Sequence, residues 1–194
     1  MIYQSMNFLA EQVNAYLQTL DENAALPEKF VVLRNVAQLT EQEIQALDNV
    51  LITLVNLSEE TTLKNTPNYV QEGGQTVYRN APVYLNLHLL FSSCVAKSYE
   101  KSLTYLSQIV AFFQGKNTFT NQNSPTLNED LNPFKFTLDL FSPTFEQANY
   151  LWSTLGGKQF PHVLYRMRLV EVFRDNRTES RGVIKEITID NSIS

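Results

Sequence analysis

Apolar residues near the start of the chain recur at three- and four-residue spacing: Met6, Leu9, Val13, Leu17 and Leu20. Glu11, Gln12, Gln18 and Asp21 fall between them. That period turns one stripe of an amphipathic helix inward. The stripe fades through Asn23-Ala24-Ala25 into Pro27, and Phe30-Val31-Val32-Leu33-Arg34 then reads as a short β-strand. Thr40-Glu41-Gln42-Glu43 has the form of a capping box and predicts a short helix ending near Leu47. Val50 to Leu57 is aliphatic and β-branched, which predicts a strand.

Residues 59–81 read either as a long connection, of the kind that is often functional, or as a hairpin. In the hairpin, Gly73-Gly74 is the turn, and Asn68-Tyr69-Val70 pairs with Thr76-Val77-Tyr78. Val83, Leu85, Leu87, Leu89 and Phe91 alternate with Tyr84, Asn86, His88 and Leu90, a strand with one strongly apolar face.

From about Val95 to Gln114 the helical period returns, and Gly115 is placed to end it. Tyr99, Leu103, Leu106, Val110 and Phe113 form one stripe, and Tyr105, Ile109 and Phe112 form a second beside it. The ordinary reading is a helix sunk between a sheet and its neighbours. The sharper reading is that Tyr105, Ile109 and Phe112 meet another subunit.

A polar loop with Asn117, Asn121, Asn123 and Pro125 precedes an alternating strand, Phe134, Phe136, Leu138 and Leu140. Ser142-Pro143 suits a helix start, with serine at the N-cap and proline at the first helical position. That helix carries Phe145, Ala148, Leu151, Trp152 and Leu155 and stops at Gly156-Gly157. Val163 to Phe173 and Val183 to Ile189 are the last strand candidates. Without regular βαβ alternation, the fold class is α+β.

Composition narrows the function. One domain fits 194 residues with 43% hydrophobic and 18% charged content. Net charge is −5, which disfavours phosphate-backbone attraction, so no nucleic-acid partner is expected. The average conceals a split. Residues 1–157 carry eight basic and fifteen acidic residues, a net −7, whereas 158–194 carry seven and five, a net +2. Apolar runs such as Ile109-Val110-Ala111-Phe112-Phe113 fall far short of the roughly 20 residues a membrane span needs. The N-terminus lacks the basic-then-apolar order of a secretory signal, so folding in the cytoplasm is expected.

Candidate catalytic groups are sparse. Cys94 is the sole cysteine, and His88 and His162 are the only histidines. Each histidine reads as structural or surface-lying, and a strand running into a helix does not aim His88 and Cys94 at one point. Gly156-Gly157-Lys158 ends a helix, whereas a phosphate loop begins one. The pairs Glu59-Glu60 and Glu129-Asp130 are sequence neighbours that point apart, poor parts for shared acid–base work. No enzyme activity, metal or cofactor is expected.

Arg166, Arg168, Arg174, Arg177 and Arg181 fall within sixteen residues. On a strand, Arg166 and Arg168 share a face. They read either as charges that blunt a solvated strand edge or as part of an arm that engages an acidic neighbour.

Several segments in this order resemble a known family. They are Val50-Leu51-Ile52-Thr53-Leu54-Val55-Asn56-Leu57-Ser58-Glu59-Glu60 followed by Lys64-Asn65, and Ala81-Pro82-Val83-Tyr84-Leu85-Asn86-Leu87-His88-Leu89-Leu90-Phe91. The helix Tyr99–Gln114, then Leu151-Trp152-Ser153-Thr154-Leu155-Gly156 and Phe160-Pro161-His162-Val163-Leu164-Tyr165-Arg166, complete the set. Together they resemble the N-terminal domain of the cap, or tube-terminator, proteins of extracellular contractile injection systems of the antifeeding-prophage type. The resemblance runs from residue 2 to about 173. His162 departs from it, since a small residue such as serine is expected after the proline; the expected consequence is a change in a local turn.

The resemblance implies a tail-terminator-like fold: a mostly antiparallel mixed sheet packed against two long helices. An α+β domain over 1–175 and a C-terminal strand or arm over 176–194 are expected. It also implies a structural role, a hexameric ring on the distal end of inner tube and sheath that ends polymerisation and couples the two. The particle would be assembled in the cytoplasm and then released or anchored in the cell. Sheath or tube contacts are expected at Arg166, Arg168, Arg174, Arg177, Arg181, Val183, Ile187 and Ile189, with residues 174–182 as a hinge. Alternative readings are an adaptor that tethers a particle to a membrane surface without inserting, and a small enzyme.

Overall fold

Helix α1 covers Ile2–Gln18, and its expected stripe does face inward, with Met6, Leu9, Val13 and Leu17 all buried. The computed structural model describes residues 1–60, 69–72, 75–79, 83–124, 134–172 and 177–182. Strand β1 (Val31–Leu33) follows, then the short helix α2 (Glu41–Ala46), entered through the expected capping box of Thr40 and Glu43. Next come β2 (Asp48–Glu59), β3 (Tyr69–Glu72), β4 (Gln75–Arg79) and β5 (Val83–Val95). Helix α3 (Tyr99–Gly115), β6 (Thr118–Thr120), β7 (Lys135–Phe141), α4 (Phe145–Thr154), β8 (His162–Val172) and β9 (Arg177–Gly182) complete the order.

Six strands form one sheet in the order β1-β2-β5-β8-β7-β6. Only β1 and β2 run parallel; the other neighbours are antiparallel. The long central strands are irregular at one level. The register shifts between Leu54 and Asn56 on β2, and again between Leu85 and Leu87 on β5 where it meets β8. Such irregularities sharpen the local twist. A second sheet has the order β3-β4-β9. Its β3–β4 hairpin pairs Tyr69 with Tyr78 and Val70 with Val77, the register expected of a turn at residues 73–74.

Helices α1 and α3 cover one face of the large sheet and bury its main core. Phe91, Phe119 and Phe136 are fully enclosed there beside Leu9, Ile109 and Leu89. Phe91 meets Phe113 at 5.5 Å and Tyr165 at 5.8 Å between ring centres, edge to face. A smaller core on the opposite face gathers Leu51, Leu90, Cys94, Trp152 and Leu164 beneath the α2 and α4 region. Lys158, just past α4, reaches Glu41 of α2 at 2.9 Å.

Three boundaries differ from expectation. Residues 92–95 stay in β5, because their backbones pair with β2 as far as Val95 opposite Asp48; α3 therefore begins only after Ser98, whose hydroxyl accepts from Lys101 N–H. Helix α4 is capped by Thr144 rather than Ser142. The Thr144 hydroxyl accepts from the Gln147 backbone, and the Gln147 side chain accepts from the Thr144 N–H, a reciprocal pair that Ser142 lacks. Strand β6 lies within the expected polar loop and owes its place to pairing with Lys135–Thr137. The end of α4 is as expected: Gly156 and Gly157 both take positive φ (98° and 77°), and Gly157 N–H reaches back to the Trp152 carbonyl.

Candidate assembly interface

Beyond the small core, the same face of the large sheet turns polar. Register places Asn56 opposite His88, His88 opposite Arg166, and Arg166 opposite Asp139. Residues paired in this way share a face, so one row crosses four adjacent strands. Asp139 stands 3.6 Å from Arg166 and 2.7 Å from Arg168. The closer contact is not aligned as a hydrogen bond, so it acts as a charge pair. All three side chains keep between about a third and two fifths of their surface exposed. Two cations on one carboxylate leave the row net positive on an acidic body.

Several polar atoms in this region make no hydrogen bond within the described residues: His88 Nδ1, Arg166 Nε and Asn86 Oδ1. His88 packs its ring edge-on against Phe141 at 5.4 Å. Burial, with the Arg166 charge second, holds its imidazole below the usual histidine pKa. Among the described residues the row is thus cationic and incompletely hydrogen-bonded.

The expected residues separate into three groups. Arg166 and Arg168 sit together in the row. Arg177 and Arg181 lie on β9, opposite Arg79 and Thr76 of β4. That pairing corrects the expectation that residues 174–182 form a hinge loop: over Arg177–Gly182 the backbone is engaged in a sheet. Arg174, Val183, Ile187 and Ile189 lie outside the described residues.

The expected subunit face of α3 also needs correction. Tyr105 and Ile109 are buried inside the subunit, and Phe112 packs against the same core. Tyr105 lies 4.6 Å from Phe30 and Phe112 lies 5.1 Å from Tyr16, ring centre to ring centre. Two neighbouring stripes on one helix look alike in sequence, and the docking angle of α3 on the sheet decides which is sunk deepest. The residues left outside are Tyr99, 69% exposed, and Leu103. Tyr99 stands between two shallow depressions that share Phe160 and Pro161.

A third depression, of about 460 Å³, lies between the C-terminal half of α3 and β7, bounded by Val110, Phe113, Leu138, Leu140 and Tyr165. On α4, Phe145 is 98% exposed and Tyr150 is largely exposed. By spacing, Phe145 and Leu140 belong to the apolar sets of their helix and strand. Each instead stands at the periphery, where the strand or helix has outrun the partner layer.

His162 and Cys94 have structural places. His162 Nδ1 lies 2.9 Å from the Phe160 carbonyl, while Nε2 accepts from Trp152 Nε1–H at 3.4 Å. The residue that departs from the expected pattern therefore ties the 160–162 turn to α4. Cys94 is buried and its thiol pKa is pushed up to about 12, far from that of a working nucleophile. Among the described residues no cluster of His, Cys, Asp and Glu could hold a metal, and no helix is long and apolar enough to cross a membrane.

Comparison with known proteins places this architecture. The fold matches the sheath/tube terminator of the PVC extracellular contractile injection system, solved by cryo-EM in its extended state. The TM-score is 0.67 at 14% identity, covering 100% of this chain and 64% of that one. It also matches the tube-terminating cap of the anti-feeding prophage, with a TM-score of 0.65 at 13% identity, covering 98% and 61% respectively. The chain thus spans less than two thirds of the length of these structures. No curated protein matches it in sequence. The model of the family described as the Pvc16 N-terminal domain matches residues 6–186, from the first inward stripe of α1 to beyond β9, and the chain belongs to that family.

Proposed function

We propose that the chain is a structural cap of a contractile injection system, forming a hexameric ring on the distal end of inner tube and sheath. The ring ends polymerisation and couples the two. The observation that carries this reading is the family match across residues 6–186, joined to a fold shared with a sheath/tube terminator and a tube-terminating cap. The surface supports the reading. Its recognisable chemistry is a cationic row, exposed aromatic residues and open strand edges, which are parts for protein contact rather than for bond making. Assembly takes place in the cytoplasm, and the particle is then released or anchored.

Arg166, Arg168, Arg174, Arg177 and Arg181 contribute the sheath and tube contacts. Because residues 177–182 belong to a sheet, the cleaner truncation begins at Val183 rather than Arg177. The test is electron microscopy of particles made with and without this protein. Its absence gives tubes and sheaths of uncontrolled length, and the full chain restores uniform ends. Particles of unchanged length distribution in its absence refute the reading. A 1–182 chain that still forms rings but loses sheath localises the sheath grip to the last twelve residues.

A further inference from the structure

The two edges of the large sheet are finished differently. At β1 the outward backbone is closed by α1: Asn14 donates through Nδ2 to the Val31 carbonyl at 2.8 Å and accepts from Val31 N–H at 2.8 Å. A side-chain amide thus stands in for a neighbouring strand. At the other edge β6 pairs only with Lys135–Thr137, while β7 continues to Phe141 along β8. Leu138 N–H donates outward to the Asn117 carbonyl at 2.8 Å. Backbone groups alternate in direction along a strand, so Leu140 turns its N–H and C=O outward too. No described strand pairs with that side of β7 beyond Thr137. Leu140 is 56% exposed, and its side chain borders the groove of about 460 Å³ floored by Phe113, Leu138 and Tyr165.

An unpaired edge beside an apolar groove accepts a strand with one apolar face. The chain contains one. In Val183-Ile184-Lys185-Glu186-Ile187-Thr188-Ile189-Asp190, Val183, Lys185, Ile187 and Ile189 fall on one side of the alternation, with the long Lys185 stem able to lie along apolar surface, and Ile184, Glu186, Thr188 and Asp190 fall on the other. With the apolar side over the groove, the carboxylates fall on the face where Arg166 and Arg168 outnumber Asp139.

We infer that the open edge of β7, Leu138–Phe141, receives the segment Val183–Ile189 of a neighbouring copy of this chain as an added antiparallel or parallel strand. The inference rests on the ring reading, because a closed ring supplies every acceptor edge with one identical donor. It assigns residues 183–189 to subunit-to-subunit contact, in place of the sheath or tube contact expected of Val183, Ile187 and Ile189 from the sequence.

Disulfide trapping between full-length chains tests it. One preparation carries Leu140→Cys, another of distinguishable mass carries Ile187→Cys, and the two are mixed under a mild oxidant across a concentration series. Buried Cys94 stays out of the reaction. The expected result is a mixed disulfide forming at least about tenfold faster than with Phe145→Cys as acceptor, a residue more exposed than Leu140. A mixed disulfide no faster than that control overturns the inference. So does a Leu140→Cys/Ile187→Cys double variant that closes within one chain at a rate independent of concentration.

Leu140→Pro removes an outward N–H without touching the β7–β8 ladder, and Leu140→Lys places a charge at the groove. Both keep the thermal transition of the parent and lower ring yield at tube ends. Ring yield equal to the parent's in both variants overturns the acceptor edge. Uncontrolled particle length bears on the cap reading alone, so the two failures are distinguishable.

Discussion

Beneath α1 and α3 the large sheet presents aromatic rings packed edge to face and sealed from water. On its other side, a small core around Trp152 gives way within a few residues to His88, Arg166, Arg168 and Asp139, all partly exposed. Both surfaces are built from the same strands, since successive residues point to opposite faces. On β5, Leu87, Leu89 and Phe91 serve the first surface while His88 serves the second. The contrast teaches that the sealed side and the polar side are separated by strand parity. The polar side can change residue by residue while the backbone register, held by the other face, stays fixed.

Four changes break or sharpen that contrast. Phe91→Ala empties the middle of the sealed side and should cost about 3–5 kcal/mol, measured by urea unfolding. A loss below about 1 kcal/mol would show that the aromatic layer is not the stabilising one. Trp152→Ala removes the one buried side chain of α4. Its cost should fall near the lower end of the same range, about 3 kcal/mol, because the small core is open at its rim. Limited proteolysis should then cut near α4 before the rest of the chain unfolds.

Asp139→Asn discharges the carboxylate between two arginines. Exposed ion pairs contribute little, so stability should change by less than about 1 kcal/mol, while salt-sensitive binding to an acidic partner strengthens. Weaker binding in titrations at low and high salt would contradict a cationic recognition role. The smallest effect concerns His88. Its folded pKa lies below the ordinary value of 6.5, so the unfolded chain takes up the proton first as pH falls. The stabilising contribution is present above 6.5 and is lost as pH drops below it towards the folded value. Urea midpoints compared between pH 7.5 and 5.5 should fall less in His88→Gln than in the parent; equal slopes remove His88 from the account.

Much of the fold was readable in the chain because its core residues keep strict periods. Val50 to Leu57 and Val83 to Phe91 announce the central strands, and Thr40 with Glu43 marks the start of α2. What stayed hidden depends on distant partners. Thr118–Thr120 has no pattern of its own and becomes strand only against β7. Arg177–Gly182 contains no apolar residue, so nothing local distinguishes it from a loop until β4 supplies hydrogen bonds. Arg166 and Arg168 could be placed on one face from parity alone. The neighbours that turn them into a site, His88 and Asp139, come from strands far away in sequence. The exposed edge at Leu140 was invisible because the residue alternates like any buried one.

The irregularities near Asn56 and Leu87 have a mechanical consequence. Helices α1 and α3, each of 17 residues, are about 25 Å long at ~1.5 Å per residue. Strand β5, with 13 residues, reaches about 43 Å at ~3.3 Å per residue. The central strands are therefore longer than the helices that cover them, and Leu57 and Val83 are exposed near one end. A pull along these strands would load their backbone ladder in shear, every hydrogen bond sharing the force, while a sideways pull would peel the bonds one at a time. The same ladder would thus be stiff in one direction and yielding in the other.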